Sequence, residues 1–149
     1  MKLAEAMVFR ADTQKRLEQI KARLLRNAKV QDGDQPAEDP AHLLVEFEAT
    51  AVEFTGLVKR INLTNSAATL GDRSLTEALA QRDILRQAMY RDLAESASVT
   101  QSVATRSEVK FRSTVSVVDI QKRADALAKE LRDLDARIQE SNWKIELAH

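Results

Sequence analysis

Residues 24–40 read LLRNAKVQDGDQPAEDP, and the reading of this stretch decides the fold. Leu24 and Leu25 close an apolar stripe. Arg26 and Lys29 put positive charge where a helix C-terminus favours it. Gly33 permits a reversal of the chain. Asp39-Pro40 then starts a second helix: the aspartate can accept N–H bonds as N-cap, and proline fits a first turn that needs no N–H partner. So read, the stretch is the tip of a long helical hairpin. Its acids offer a competing reading, because Asp32, Asp34, Glu38 and Asp39 could present oxygens to Ca²⁺. A calcium loop of the EF-hand type needs ligands at positions 1, 3, 5 and 12 with glycine at 6. Here Asp32-Gly33-Asp34 puts glycine second, and no third aspartate follows at the required spacing. The connector reading is preferred.

Upstream, Leu3, Arg10, Leu17 and Leu24 recur every seven residues, with Ala6, Thr13, Ile20 and Asn27 three behind. This is a heptad seam of coiled-coil type, and it predicts a helix over about 2–29. Downstream, Leu44, Phe47, Ala51, Phe54, Val58 and Ile61 predict a second helix over about 40–65. SAATLGDRS, with Gly71, breaks it. Ser74 and Glu77 have the spacing of a capping box. They open a third helix over about 75–96, carrying Leu75, Leu79, Arg82, Leu85, Met89 and Leu93 on one side. The period then changes to strand alternation, with Val109, Phe111, Val115 and Val117 in one phase and Val99 and Val103 weakly in phase before them. A fourth helix over about 117–146 keeps Ile120, Leu127, Leu134 and Ser141 in one set and Ala124, Leu131, Ile138 and Ile145 in the other.

The expected fold is therefore mainly α. Long antiparallel helices form a bundle or helical hairpin, in one domain spanning 1–149. A short β-hairpin or extended arm over about 98–116 joins the third and fourth helices, pairing within the chain or with another subunit. Composition agrees. Three glycines and two prolines in 149 residues mean few turns and long elements, and 4% aromatic content suits a Leu/Ile/Ala-packed core. Lys+Arg and Asp+Glu are both 23, so no overall field draws the chain to nucleic acid or anionic membrane. With no cysteine, disulfides and thiolate chemistry are excluded. No apolar run approaches the ~20 residues that span a bilayer, and the N-terminus builds no signal-peptide core. The expected location is cytoplasmic.

Chemistry-bearing constellations are few. His42 and Glu46 share a helix face, but one such pair is too few ligands for zinc, and His149 is terminal. No nucleophile elbow, Ser-x-x-Lys motif or glycine-rich phosphate loop occurs. No catalytic, metal or cofactor-binding residue is nominated, and no small-molecule substrate is identifiable. The informative positions are polar groups on apolar seams. Arg10 and Arg82 should each meet a carboxylate or carbonyls, line a polar pocket, or lie at a subunit boundary. Asn62 and Asn65 add polar groups near a helix end. Such residues serve best to fix register and copy number. The first helix is locally basic, with eight Lys/Arg against three Asp/Glu over 2–29. Arg16, Arg23 and Arg26 fall on one side and could contact RNA backbone, or could pair with acids of a neighbouring helix such as the fourth.

The stretch KLAEAMVFRADTQKRLEQIKARLLRNAKVQDGDQPAEDP (2–40), followed by INLTN (61–65), LTEALAQRDILR (75–86), SEVKFRSTV (107–115) and IQESNW (138–143), resembles small bacterial septicolysin-like proteins. The resemblance implies a mostly helical, oligomeric protein of uncharacterised function and no established enzymatic activity. Its name suggests a membrane-active cytolysin. The expected function is a non-enzymatic homo-oligomer with a structural or interaction role. RNA or ribosome-associated binding through the first helix and cytolysis are the alternatives.

Overall fold

The heptad over residues 3–27 gives one side of a helix a mainly apolar edge, interrupted by Arg10, Thr13 and Asn27, and that edge is what the chain buries. The structure, a computed structural model, describes residues 1–98 and 111–149, with the Met89 side chain outside the description. The chain is mainly α. In order it comprises α1 (Leu3–Asn27), α2 (Pro40–Ala67), β1 (Thr69–Leu70), β2 (Arg73–Ser74), α3 (Leu75–Leu85), α4 (Met89–Ala97) and α5 (Val117–Lys144). It divides into two compact units, residues 1–75 with 139–149, and residues 76–138.

In the first unit, α1 and α2 form the antiparallel hairpin. Leu3, Ala6, Thr13 and Ile20 are buried along α1, with Arg10, Leu17, Leu24 and Asn27 half-buried between and beyond them. The facing edge of α2 differs from the expected one. Leu43, Thr50, Ile61 and Thr64 are buried, whereas Leu44 is exposed. Threonine enters the core because its hydroxyl is satisfied locally. Thr13 donates to the Phe9 carbonyl at 2.8 Å, Thr50 to Glu46 at 2.7 Å and Thr64 to Arg60 at 2.8 Å. Each then presents a methyl to the seam without an unmet polar group. Asp39 caps α2 by accepting from the Ala41 amide at 3.0 Å, with Pro40 in the first turn. Gly33 takes the reversal at φ +91°.

After α2 the chain turns through a two-stranded hairpin. Thr69 pairs with Ser74 and Leu70 with Arg73, leaving Gly71 and Asp72 as the turn. Gly71 lies at φ +71°, a conformation that favours glycine at this place in a two-residue hairpin. The sequence marks this stretch only as a break between helices, with Gly71 in it. The β-arm was expected at about 98–116, between α4 and α5. Residues 111–116 are non-helical and lead into α5, which fits a short extended arm; Val99, Val103 and Val109 lie outside the described residues.

In the second unit the expected third helix is interrupted. α3 ends at Leu85 and α4 begins at Met89, with Ala88 between them in the left-handed region at φ +53°. A Cβ makes that conformation unfavourable by about 1–2 kcal/mol, and neither glycine nor proline marks the site. The kink changes the face that follows: Ala94 is buried and Leu93 is exposed. Leu134 and Ile138 are the buried residues of α5 in this unit, with Ile120, Ala124, Leu127 and Leu131 half-buried on the same edge.

Candidate functional site

The charged residues nominated from sequence fall into three settings. At the hairpin tip, Arg23 of α1 grips Glu38, which precedes the cap of α2. Its Nε donates to both carboxylate oxygens at 3.1 Å and its Nη2 adds a third bond. A two-pronged guanidinium–carboxylate pair of this kind fixes orientation as well as distance. Arg23 Nη1 also lies 3.7 Å from Glu46, and Glu46 accepts from Arg16 at 3.1 Å. Asn27 knits the backbone behind the pair. Its amide donates to the Arg23 carbonyl at 2.9 Å, and its oxygen accepts the Glu38 amide at 3.1 Å. The bond from Arg23 holds the Glu38 carboxyl below its ordinary range, and nearby Arg26 adds to the effect. Glu38 in turn raises the Arg23 guanidinium. The acids that meet the basic face of α1 thus come from the loop and from α2. The sequence points to acids of a neighbouring helix and offers α5 as a source; the neighbour is α2, and Glu46 is the acid not singled out for this role. The signal was available: in an antiparallel hairpin Arg16 lies opposite Glu46 and Arg23 opposite Glu38.

At the other end of the hairpin the chain termini meet. Lys2 and Glu146 form an antiparallel bridge. The Leu3 amide donates to the Ile145 carbonyl at 2.9 Å, and the Leu147 amide to the Met1 carbonyl at 2.9 Å. Glu146 accepts from the N-terminal ammonium at 3.2 Å and from Lys2 Nζ. These bonds, that of Lys2 foremost, hold its carboxyl below the ordinary range. Beneath the bridge, Leu3, Ala6, Leu147 and Asn142 are buried, and the Asn142 amide lies 3.6 Å from Met7 Sδ. The tail is tied to α2 as well, by Arg60 Nε to the Ala148 carbonyl at 2.8 Å and the Ala148 amide to Thr64 Oγ1 at 2.9 Å.

The second unit holds a charged quartet. Arg82 Nη2 lies 3.3 Å from Asp83 and Nη1 3.6 Å from Asp135, and Arg86 reaches Asp135 at 3.4 Å. Arg10 is different. Its Nε is buried and has no hydrogen-bond partner among the described residues. Asn62 is exposed, its carbonyl accepting from Ser66 at 3.0 Å, and Asn65 is half-buried. Among the described residues no cluster of three or more His, Asp or Glu side chains could hold a metal ion, and no helix is long and apolar enough to cross a membrane.

The geometry defines a helical protein whose main unit is an ion-paired hairpin tied across its open end by its own termini. Residues 10–147 match a family of unknown function (DUF6847), and the chain belongs to that family. It is also similar to the crystal structure of a functionally unknown conserved protein from Corynebacterium diphtheriae. The two share 42% identity over 99% of each chain, with a TM-score of 0.93. No curated protein matches the chain. The resemblance to septicolysin-like proteins is thereby corrected, since neither the family nor the neighbour carries that designation. The quoted stretches misled for a physical reason. Spaced leucines, a polar reversal and an Asp-Pro start suit long helical hairpins in general. The cytolysin reading loses its basis with the resemblance.

Proposed function

We propose that this protein is a non-enzymatic helical protein that works as a homo-oligomer in a structural or interaction role. The observation that carries the reading is the apolar surface left on the hairpin after its seam is filled. Val45, Val52 and Leu63 of α2 stay exposed on the side away from α1. Aligned apolar groups on a helix mark an association surface, whereas scattered ones need no explanation. The charged groups support the non-enzymatic part. Arg16 and Arg23 are occupied by Glu46 and Glu38, and Arg82 and Arg86 by Asp83 and Asp135. Pairing of this kind weighs against two of the three arginines offered for RNA, Arg16 and Arg23. Light scattering on the full chain tests the proposal. A mass that is a multiple of 16.7 kDa is expected; a monomer at all accessible concentrations contradicts it.

A further inference from the structure

Helix α2 carries a second seam on the side opposite α1. Val45, Ala49, Val52, Gly56 and Leu63 follow the alternating four- and three-residue spacing of a coiled-coil edge, with Lys59 at the one remaining position. All are exposed, the three large side chains at 67% for Val45, 75% for Val52 and 58% for Leu63. Ala41 and Ala67, both exposed, extend the edge at either end, to about 40 Å at 1.5 Å per residue. Gly56 is the second observation. A Cβ there would meet nothing within 4 Å, so the fold of the single chain gives no reason for a glycine. In mid-helix it costs about 1 kcal/mol relative to alanine. A residue without a side chain is explained if another backbone or a large side chain comes close to it.

We infer that this edge is a self-association surface on which α2 of one chain packs antiparallel against α2 of a second copy. This rests on the homo-oligomer reading and specifies its interface. Charge selects the occupant. Glu48 flanks the edge, and Lys59 at its seam position leans to the same side; both are exposed and neither is ion-paired among the described residues. In an antiparallel pair related by a two-fold axis, each flank faces its own counterpart on the other copy. The register that sets Val52 over Gly56 of the second copy also sets Val45 against Leu63 and Ala41 against Ala67. It brings Glu48 beside Lys59, twice by symmetry. A parallel pairing would set Lys59, a seam position, beside Lys59 of the second copy and turn each Glu48 toward the opposite flank, so like charges would meet and the complementary contact would be lost. Large residues then meet small ones at the centre, as close helix packing requires.

The chain has no cysteine, so cross-linking starts from a clean background. In the full-length protein, Val45→Cys/Leu63→Cys should form intermolecular disulfides on mild oxidation. Val45→Cys alone should not, because the two Val45 positions would lie about 27 Å apart at 1.5 Å per residue and a disulfide needs Cα atoms within about 7 Å. Gly56→Leu and Val52→Asp should halve the mass by sedimentation while helicity by circular dichroism is kept. Glu48→Lys should weaken association at low salt, and Glu48→Lys/Lys59→Glu should restore it. A wild-type chain that is monomeric throughout overturns the oligomer reading and this interface together. A wild-type oligomer that Gly56→Leu and Val52→Asp leave intact overturns the interface alone. Ready cross-linking of Val45→Cys by itself overturns the antiparallel arrangement.

Discussion

The two ends of the α1–α2 hairpin are both closed by ion pairs, yet they are built on different principles. At the tip, the half-buried Arg23–Glu38 pair stands beside seam residues, Leu24 and Asn27, that are themselves only half-buried. At the base, the Lys2–Glu146 pair is the outer layer of a bridge with backbone bonds behind it and fully buried Leu3 beneath. Both ion pairs are open to solvent on one side, and such a pair contributes little by itself. Apolar area removed from water contributes far more. The base should therefore hold the first unit together, with the tip setting register and direction.

Removing residues 145–149 should have the largest effect. It uncovers Leu3 and Ala6 and leaves the Leu3 amide and the Thr64 hydroxyl without their long-range partners. A loss on the order of 3–5 kcal/mol is expected from the apolar part, seen as a fall of roughly 10 °C in Tm. Next come matched truncations of the same heptad. Leu3→Ala should cost about 2–5 kcal/mol in urea titrations, and Leu24→Ala about half as much or less, since Leu24 is already partly solvated. Equal costs would erase the distinction between the ends. Arg10→Met should be neutral or stabilising by about 1 kcal/mol, because it removes a buried, unpartnered Nε while keeping an apolar stem. Ala88→Gly should stabilise by a similar amount, on the order of 1 kcal/mol, by relieving a left-handed alanine.

The smallest effect is expected from pH acting on the two carboxylates. Glu38 and Glu146 are both held below their ordinary value of 4.5 by hydrogen bonds from Arg23 and from Lys2 with the N-terminus. A depressed folded value means that the stabilisation is whole above that ordinary value and is lost as pH falls through the folded one. Stability should thus decline below about pH 4.5. Glu38→Gln should flatten part of that decline by lowering stability at pH 7 by the same small amount, with little change in acid. A decline that begins on the alkaline side would have the wrong sign.

What could be read from sequence follows the range of the interactions. The α1 seam was legible because it is periodic: Leu3, Ala6, Thr13 and Ile20 are buried where the heptad puts them. The Asp39-Pro40 start of α2 was legible because capping is local. The α2 seam was legible in part: Ile61 is buried and Phe47, Ala51, Phe54 and Val58 are half-buried, but Leu43, Thr50 and Thr64 were missed. Thr50 and Thr64 look polar until their hydroxyls are turned onto the preceding helical turn, and Leu44 looked more core-like than its neighbour Leu43. The break at Ala88 carries no local mark. The terminal bridge joins residues more than 140 positions apart, so no local pattern announces it. Of the polar positions, Arg82 and Arg23 were legible as charges needing partners, while the identity of those partners depended on the register of the fold.

Native-state hydrogen exchange resolved to single amides tests the difference between the two ends most directly. The Leu3 and Leu147 amides, bonded to the opposite terminus, should exchange only with global unfolding of the first unit, against the usual fraying of chain ends. The Glu38 amide, bonded to Asn27 at the tip, should exchange through local opening at much lower free energy. If Leu3 and Leu147 exchange as fast as Glu38, the termini do not lock the hairpin and the account is wrong.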